Sequence, residues 1–317
     1  MTKPESSSAA IIVAAFNAEA TIAKAVKSAL DDPGVSEICV VDDASSDATL
    51  DAARACDRGD GRLQVLRLTT NSGPSAARNA AIEATRSPWI GVLDADDYLL
   101  AGRTQALMAL AGSADFIADI LLRTSATEPP PAIPAPPQVA REQSFESFVL
   151  GNLTPRRGEL QLGFLKPLMR RSFLDRHTLR YRADMRLGED YELYVRALAL
   201  GARFLLTDAA GYVSIVRPGS LSDRHGEDDL RRMRDCDKDL AAIRPLTASE
   251  QRALDRHTAN VDCRLQWRLL INAVKARDWR ASAQTFHSPQ SALYLTAKLA
   301  EQAWRRASAG LFRERHP

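Results

Sequence analysis

The sequence predicts an α/β fold, a mostly parallel sheet flanked by helices, with a helical C-terminal extension. Three observations carry this. Apolar runs of strand length alternate with helical periodicities over the first 125 residues, which is the pattern of βα units stacked into one parallel sheet. A proline-dense stretch follows, and beyond residue 226 the pattern is almost wholly helical. The chain therefore divides into 9–125, a Pro-rich loop at 126–144, a second half of the same domain at 145–225, and the extension at 226–317.

The elements follow in order. "AAIIVAAF" (9–16) is the first strand, and Ile22, Val26 and Leu30 recur at helical spacing in "EATIAKAVKSAL" behind it. "EICVVDD" (37–43) leads to the helix "SSDATLDAARA", for which Ser45 or Ser46 is the expected N-cap. "LQVLRLT" (63–69) precedes "GPSAARNAAIEATR", where Pro74 suits a first helical turn. "WIGVL" (89–93) is the fourth strand and runs straight into "DADD". After "FIADILLR" (116–123) come six prolines, at 129, 130, 131, 134, 136 and 137, whose density excludes helix and central strand and predicts a polyproline-like loop. "GEDYELYVRALALG" reads as helix and "ARFLLTDAAGYVSIVR" as strand. No internal repeat is visible.

A chain of 317 residues is long enough for one large domain with an appendage. With 45% hydrophobic and 26% charged residues it lies far from the composition of disordered chains. The net charge of +2 is uneven, because residues 264–317 hold ten Lys or Arg against three Asp or Glu. The rest of the chain is therefore acidic overall, which argues against nucleic-acid binding and confines attraction to anionic surfaces to the tail. Cys39, Cys56, Cys236 and Cys263 show no CxxC spacing, and the N-terminus lacks a long apolar stretch ending at a small-residue cleavage site. Both point to a reducing, cytoplasmic location. No window reaches the 18 apolar residues of a membrane span.

Three polar clusters, "FNAE", "DDASSD" and "DADD", fall at strand ends, where ligands of open α/β sheets bind. Asp94 and Asp96 flank Ala95. If extended geometry persists to that point, both carboxylates face one side and suit a hard cation such as Mg²⁺ or Mn²⁺, which takes one or two carboxylates together with substrate phosphates. A lone DxD also reads as a solvated turn. Asp42 and Asp43 read either as acceptors for a base or ribose or as caps for the next helix. Arg78 reads as a diphosphate contact or as a solvent-facing helix residue. Glu189 and Asp190 open a helix, where acidic residues are favoured by its dipole and where a carboxylate also serves as a general base.

Taken in order, "IIVAAFNAEATIAKAV", "VVDDASSDAT", "NSGPSAARNAAI", "VLDADD" and "GEDYELYVRAL" resemble the inverting glycosyltransferases of family 2, which have the GT-A fold. "GPSAARN", "VLDADD" and "FIAD" further resemble bacterial exopolysaccharide glucosyltransferases of the succinoglycan type. The resemblance implies a UDP-sugar donor, a divalent metal (Mg²⁺ or Mn²⁺), and sugar transfer to an oligosaccharide acceptor, a lipid-linked one among those it allows. It makes 9–125 the nucleotide-sugar-binding half and 145–225 the acceptor side. By motif match Ala14, Phe16, Asn17 and Glu19 border the nucleotide, Asp43 contacts the base, Asp94 approaches the ribose, Asp96 ligates the metal, and Asp190 is the catalytic base. Arg78 and Glu189 join the donor site. A further polar group near "VRPGSLSDRH" is expected beside the metal or diphosphate, with Arg217, Ser220, Ser222 and His225 as candidates. The chain departs from the family at Ala14, where Pro is usual, and at Ala81, where Gly is usual.

The tail "SALYLTAKLAEQAWRRASAGLFRERHP" combines Leu295, Leu299, Trp304, Leu311 and Phe312 with Arg305, Arg306, Arg313 and Arg315. It reads as a basic amphipathic helix on the inner face of the cell membrane, or as a helix packed on the main domain with a solvated basic face. Two other classes compete for the whole chain. A nucleotidyltransferase is expected to carry a Gly-rich loop after the first strand, and "VAAFNAEA" has no Gly. A non-catalytic sugar-nucleotide or glycan-binding protein keeps every binding motif but has no need of Asp190.

Overall fold

The computed structural model describes residues 8–154, 161–216 and 226–313, with the side chains of 306–313 outside that description. The first half runs β1 (Ala9–Ala15), α1 (Ile22–Leu30), β2 (Val35–Asp42), α2 (Thr49–Arg54), β3 (Leu63–Arg67), α3 (Pro74–Ala84) and β4 (Trp89–Val92). Next come β5 (Tyr98–Leu99), α4 (Arg103–Ala111), β6 (Phe116–Asp119), β7 (Leu122–Ser125), β8 (Ala140–Gln143) and α5 (Phe145–Leu150). They are followed by β9 (Leu168–Arg170), α6 (Arg171–Arg176), α7 (Glu189–Ala199), β10 (Phe204–Thr207) and β11 (Tyr212–Val216). The extension holds α8 (Glu227–Ala241), α9 (Ala248–Lys275), α10 (Trp279–Gln284) and α11 (Pro289–Arg313).

The main sheet has the order β3-β2-β1-β4-β9-β6-β10-β8. Strands β3, β2, β1 and β4 are parallel, so their carboxyl ends share one edge and bring the three polar clusters together there. Strand β9 enters between β4 and β6, antiparallel to both. A smaller sheet, β5-β11-β7, lies beside it. The run 116–123 is divided between the two sheets, since β6 pairs with β10 and β7 with β11. Residues 126–139 have no regular structure, and the chain then adds β8 antiparallel to β10 at the sheet edge.

Alternation along β1 explains the two-sided core. Ile11 and Val13 pack with Ile22, Val26 and Leu30 of α1 on one face, while Ile12 packs with Ala77, Ala81 and Ile82 of α3 on the other. Each fully buried aliphatic side chain contributes about 1.5–3 kcal/mol relative to exposure. Helix α7 is buried almost all round and shares the α3-side core with Cys236 and Leu240 of α8 and Leu254 of α9. The extension is thus packed directly behind that helix.

Two local expectations change. Neither Ser45 nor Ser46 caps α2, which begins at Thr49. The Asp47 side chain accepts from the Thr49 amide instead, at 3.0 Å, and the serines are spent on the neighbouring loop. Extended geometry does not persist to Asp96, because the Asp97 amide donates to the Asp94 carbonyl at 3.1 Å and closes a turn. The alternation argument for Asp94 and Asp96 therefore fails at the point where the strand ends.

Candidate active site

The loops after β1 and β2 are knitted together at the sheet edge. Asn17, at φ 49°, donates its amide to Ser45 Oγ at 2.9 Å, and its Oδ1 accepts from the Ser46 amide at 3.0 Å. Glu19 Oε2 accepts from the Ala48 amide at 3.0 Å, and Asp47 Oδ2 accepts from the Glu19 amide at 3.1 Å. Asn17 and Glu19 thereby shape the loop in which the resemblance sets the nucleotide. Phe16 is 48% exposed at its rim, and Ala14 is half-buried beneath.

Asp43 is buried, and each of its carboxylate oxygens accepts a backbone amide, from Ser72 at 2.7 Å and Gly73 at 2.8 Å. It fixes the approach to α3 by satisfying amides at a helix start that would otherwise lack partners. Asp42 Oδ1 likewise accepts from the Ser45 amide at 3.1 Å.

Arg78 faces neither solvent nor open space; it is 5% exposed and surrounded by carboxylates. Its Nη2 lies 3.0 Å from Asp94 Oδ1, and its Nη1 lies 3.0 Å from Glu189 Oε1 and 3.3 Å from Asp190 Oδ1. Lys166, equally buried, places Nζ 3.0 Å from Asp94 Oδ2 and 2.8 Å from Asp190 Oδ2. Asp94 and Asp190 are thus bridged twice, each oxygen by a different cation. Burial alone would raise the Asp94 carboxyl, yet Lys166 and Arg78 hold it down at about 2. Burial would likewise discharge both cations, but Asp190 and Asp94 keep them charged and raise their pKa values.

The turn is also pinned from the small sheet. Tyr212 Oη accepts from the Asp94 amide at 3.1 Å, and Asp97 Oδ1 accepts from the Ile215 amide at 2.8 Å. Burial, followed by the charge of Asp94, pushes the Asp97 carboxyl up to about 7.

Asp190 stands in the first turn of α7, which also holds Glu189 and Glu192. Acidic residues there oppose the positive end of the helix dipole. Gly188 precedes the helix at φ 74°, a left-handed conformation that glycine adopts without strain, and a Cβ there would lie 3.2 Å from Met233 of α8. Behind Asp190, Tyr191 donates to Asp237 Oδ1 at 3.0 Å. Asp237 Oδ2 accepts from Thr258 Oγ1 and lies 2.8 Å from His257 Nδ1, while the Tyr191 and His257 rings stack with centroids 4.2 Å apart.

The donor set at the strand ends decides whether a divalent cation fits there. Among the described residues no group of three or more His, Cys, Asp or Glu is gathered to hold one, and Asp94 and Asp97 are committed as above. Half-buried Asp96 lies in the turn that follows β4. One carboxylate completed by diphosphate and water oxygens is a set that Mg²⁺ commonly accepts, so Asp96 would suit a divalent cation held together with a diphosphate. His225, with Arg217, Ser220 and Ser222, lies outside the described residues.

The structure therefore brings together Arg78, Asp94, Glu189 and Asp190, and sets Phe16, Asn17, Glu19 and Asp43 along the same strand ends. Sequence reasoning missed Lys166, Tyr212 and the Tyr191–Asp237–His257 cluster. One signal for Lys166 was present, a single charge inside the apolar run "GFLKPLM".

Comparison with solved structures places this architecture. The crystal structure of S. aureus TarS 1–349 in complex with UDP-GlcNAc superposes with a TM-score of 0.64 at 19% identity, covering 89% of this chain and 91% of that one. The mannosyltransferase PcManGT from Pyrobaculum calidifontis, in complex with GDP-Man and Mn²⁺, gives 0.57 at 17% identity, covering 96% and 91%. The fold is that of the GT-A glycosyltransferases. The family described as Glycosyl transferase family 2 matches residues 10–165. The succinoglycan biosynthesis protein ExoU of Rhizobium meliloti (strain 1021) is 44% identical over 282 residues, 86% of this chain and 80% of that protein. ExoO of the same strain is 38% identical over 216 residues, 67% of this chain and 61% of that protein. The chain belongs to glycosyl transferase family 2.

Proposed function

We propose that this glycosyltransferase moves a hexose, with glucose the first candidate, from a UDP-sugar to a hydroxyl of a growing exopolysaccharide oligosaccharide, with inversion at the anomeric carbon. The observation that carries the reading is Asp190, set at the start of α7 and linked through Arg78 and Lys166 to Asp94, just after β4. The likeness to two succinoglycan biosynthesis proteins supports the product class.

In the proposed mechanism the β1 and β2 loops, with Ala14, Phe16, Asn17, Glu19 and Asp43, border the nucleotide, and Arg78, Asp94 and Glu189 hold the donor side. Asp96 would hold Mg²⁺ or Mn²⁺, which supplies charge neutralisation for the departing diphosphate. Asp190 takes the proton of the acceptor hydroxyl as that oxygen forms the new bond to the anomeric carbon and the diphosphate oxygen leaves with the electron pair. Attack from the face opposite the leaving group inverts that carbon.

The acceptor is proposed to be lipid-linked, with the protein at the cytoplasmic face of the membrane. No described helix is long and apolar enough to cross a membrane. On α11, Leu295 is buried against the extension, whereas Leu293 is 75% and Trp304 71% exposed. One side of the helix packs, and we propose that the other meets an anionic surface. Deleting residues 290–317 should lower binding to anionic liposomes, and unchanged binding would remove this part of the proposal.

The decisive experiment measures UDP release from a panel of UDP-sugars with Mg²⁺ or Mn²⁺, with and without a lipid-linked acceptor, for the native chain, Asp96→Ala and Asp190→Asn. Metal-dependent turnover lost in both variants is expected. Donor binding without turnover, with Asp190→Asn indistinguishable from native, would favour the binding-protein reading.

A further inference from the structure

We propose that Lys166 is a positioning residue for sugar transfer, holding Asp190 in register with the donor-side carboxylate Asp94. This rests on Asp190 being the base.

The two bridges between Asp94 and Asp190 are unequal. Arg78 reaches Asp190 only at 3.3 Å, with the same nitrogen that serves Glu189 at 3.0 Å. Lys166 reaches the other oxygen at 2.8 Å, a well-formed charge-assisted bond. Without Lys166, one Asp190 oxygen loses its cation and the other keeps a long, shared contact, so the carboxylate gains rotational freedom. Transfer needs its lone pair within hydrogen-bond reach of the attacking hydroxyl, and a displacement of about 1 Å costs on the order of 100-fold in rate.

The backbone holds Lys166 for this task. It lies one residue before Pro167 and two before β9, whose register pairs Leu168 with Gly91 of β4. That insertion sets Lys166 beside the end of β4, next to Asp94. Its carbonyl accepts from Arg103 Nη2 at 2.6 Å, and that buried guanidinium is paired with Asp119 at 2.7 Å. A lysine anchored at its backbone and bonded at its tip to two carboxylates has little freedom left. The same nitrogen touches the donor-side and acceptor-side groups, so the base is oriented relative to the bound donor and not merely to its own helix.

The test compares Lys166→Met, Lys166→Arg and Lys166→Ala in the full chain, using whichever UDP-sugar of the panel turns over and UDP with Mg²⁺ as the binding probe. Lys166→Met should lower kcat about 100-fold, with the UDP dissociation constant within threefold of native. Lys166→Arg should recover at least tenfold of the loss. Adding propylammonium to Lys166→Ala should raise its kcat in a saturable manner, which a purely structural lysine would not show. The proposal is overturned by kcat within threefold of native in Lys166→Met, by a loss confined to UDP affinity, or by absence of rescue in a folded Lys166→Ala. If Lys166→Met and Lys166→Ala do not fold, the uncharged but polar Lys166→Gln decides: kcat lowered at least tenfold at constant UDP affinity supports the proposal, and native kcat overturns it. Asp190→Asn separates the two claims. If it keeps native turnover, the base assignment fails; if it is inactive while Lys166→Met is native, only the role of Lys166 falls.

Discussion

The phenol of Tyr191 donates to Asp237 at 3.0 Å, and this bond ties the residue next to Asp190 to the C-terminal extension. Asp237 is 2% exposed and serves three side chains from two other helices. Removing its carboxylate would strand those groups in the interior. Asp237→Ala should destabilise the fold by about 3–5 kcal/mol, because buried donors left without an acceptor bear their full desolvation cost. Tyr191→Phe, which leaves Asp237 two partners, should cost roughly 1–2 kcal/mol. Urea denaturation of both variants checks the order.

Arg78 pairs with three carboxylates from one helix and a turn. Arg78→Met leaves Asp94 and Asp190 with Lys166 and takes the guanidinium from Glu189, and should cost about 3–5 kcal/mol. Arg78→Lys cannot span the three sites with one ammonium and should recover less than half of that loss. Equal stability of the Met variant and the native chain in urea would contradict this account.

Metal removal should act through Asp96. For the native chain, adding EDTA is expected to weaken UDP binding at least tenfold by calorimetry, since Asp96 would hold the ion whose charge the diphosphate needs. Asp96→Ala should already be weak and respond little to EDTA. A native chain indifferent to chelator would remove the metal from the proposal.

Stability at acid pH should report on the cap of α9. Bonding to Arg244, with the Thr247 amide adding to it, holds the Glu250 carboxyl at about 2, below its ordinary 4.5. The unfolded chain therefore takes up this proton at a higher pH than the folded one, so the contribution is complete above pH 4.5 and is lost as pH falls towards 2. Glu250→Gln should cost about 1 kcal/mol at pH 7, the usual worth of a capping box. That difference should vanish near pH 2, and a constant difference across the range would count against the linkage.

Much of the architecture was legible in the sequence. Ile22, Val26 and Leu30 mark the buried face of α1, and Pro74 marks the first turn of α3, because both signals are local. The division of 116–123 between two sheets was not, since one extended run offers no clue to which partner each part pairs with. Ser45 and Ser46 misled for a similar reason. Their side chains have a choice between their own helix and the loop after β1, and only the fold brings Asn17 near enough to win.

The sequence by itself determined the βα alternation, the carboxylates at the ends of the strands and the acidic start of α7, because each depends on residues close together in the chain. Tertiary structure decided what those groups face. Arg78 could have met solvent or phosphate, and it meets three carboxylates because α3, the β4 turn and α7 converge on it. Lys166 acquires its place only when β9 inserts beside β4. Charges brought together from positions 78, 94, 166 and 190 attract one another strongly only after burial has removed the water between them, and burial is a property of the whole fold.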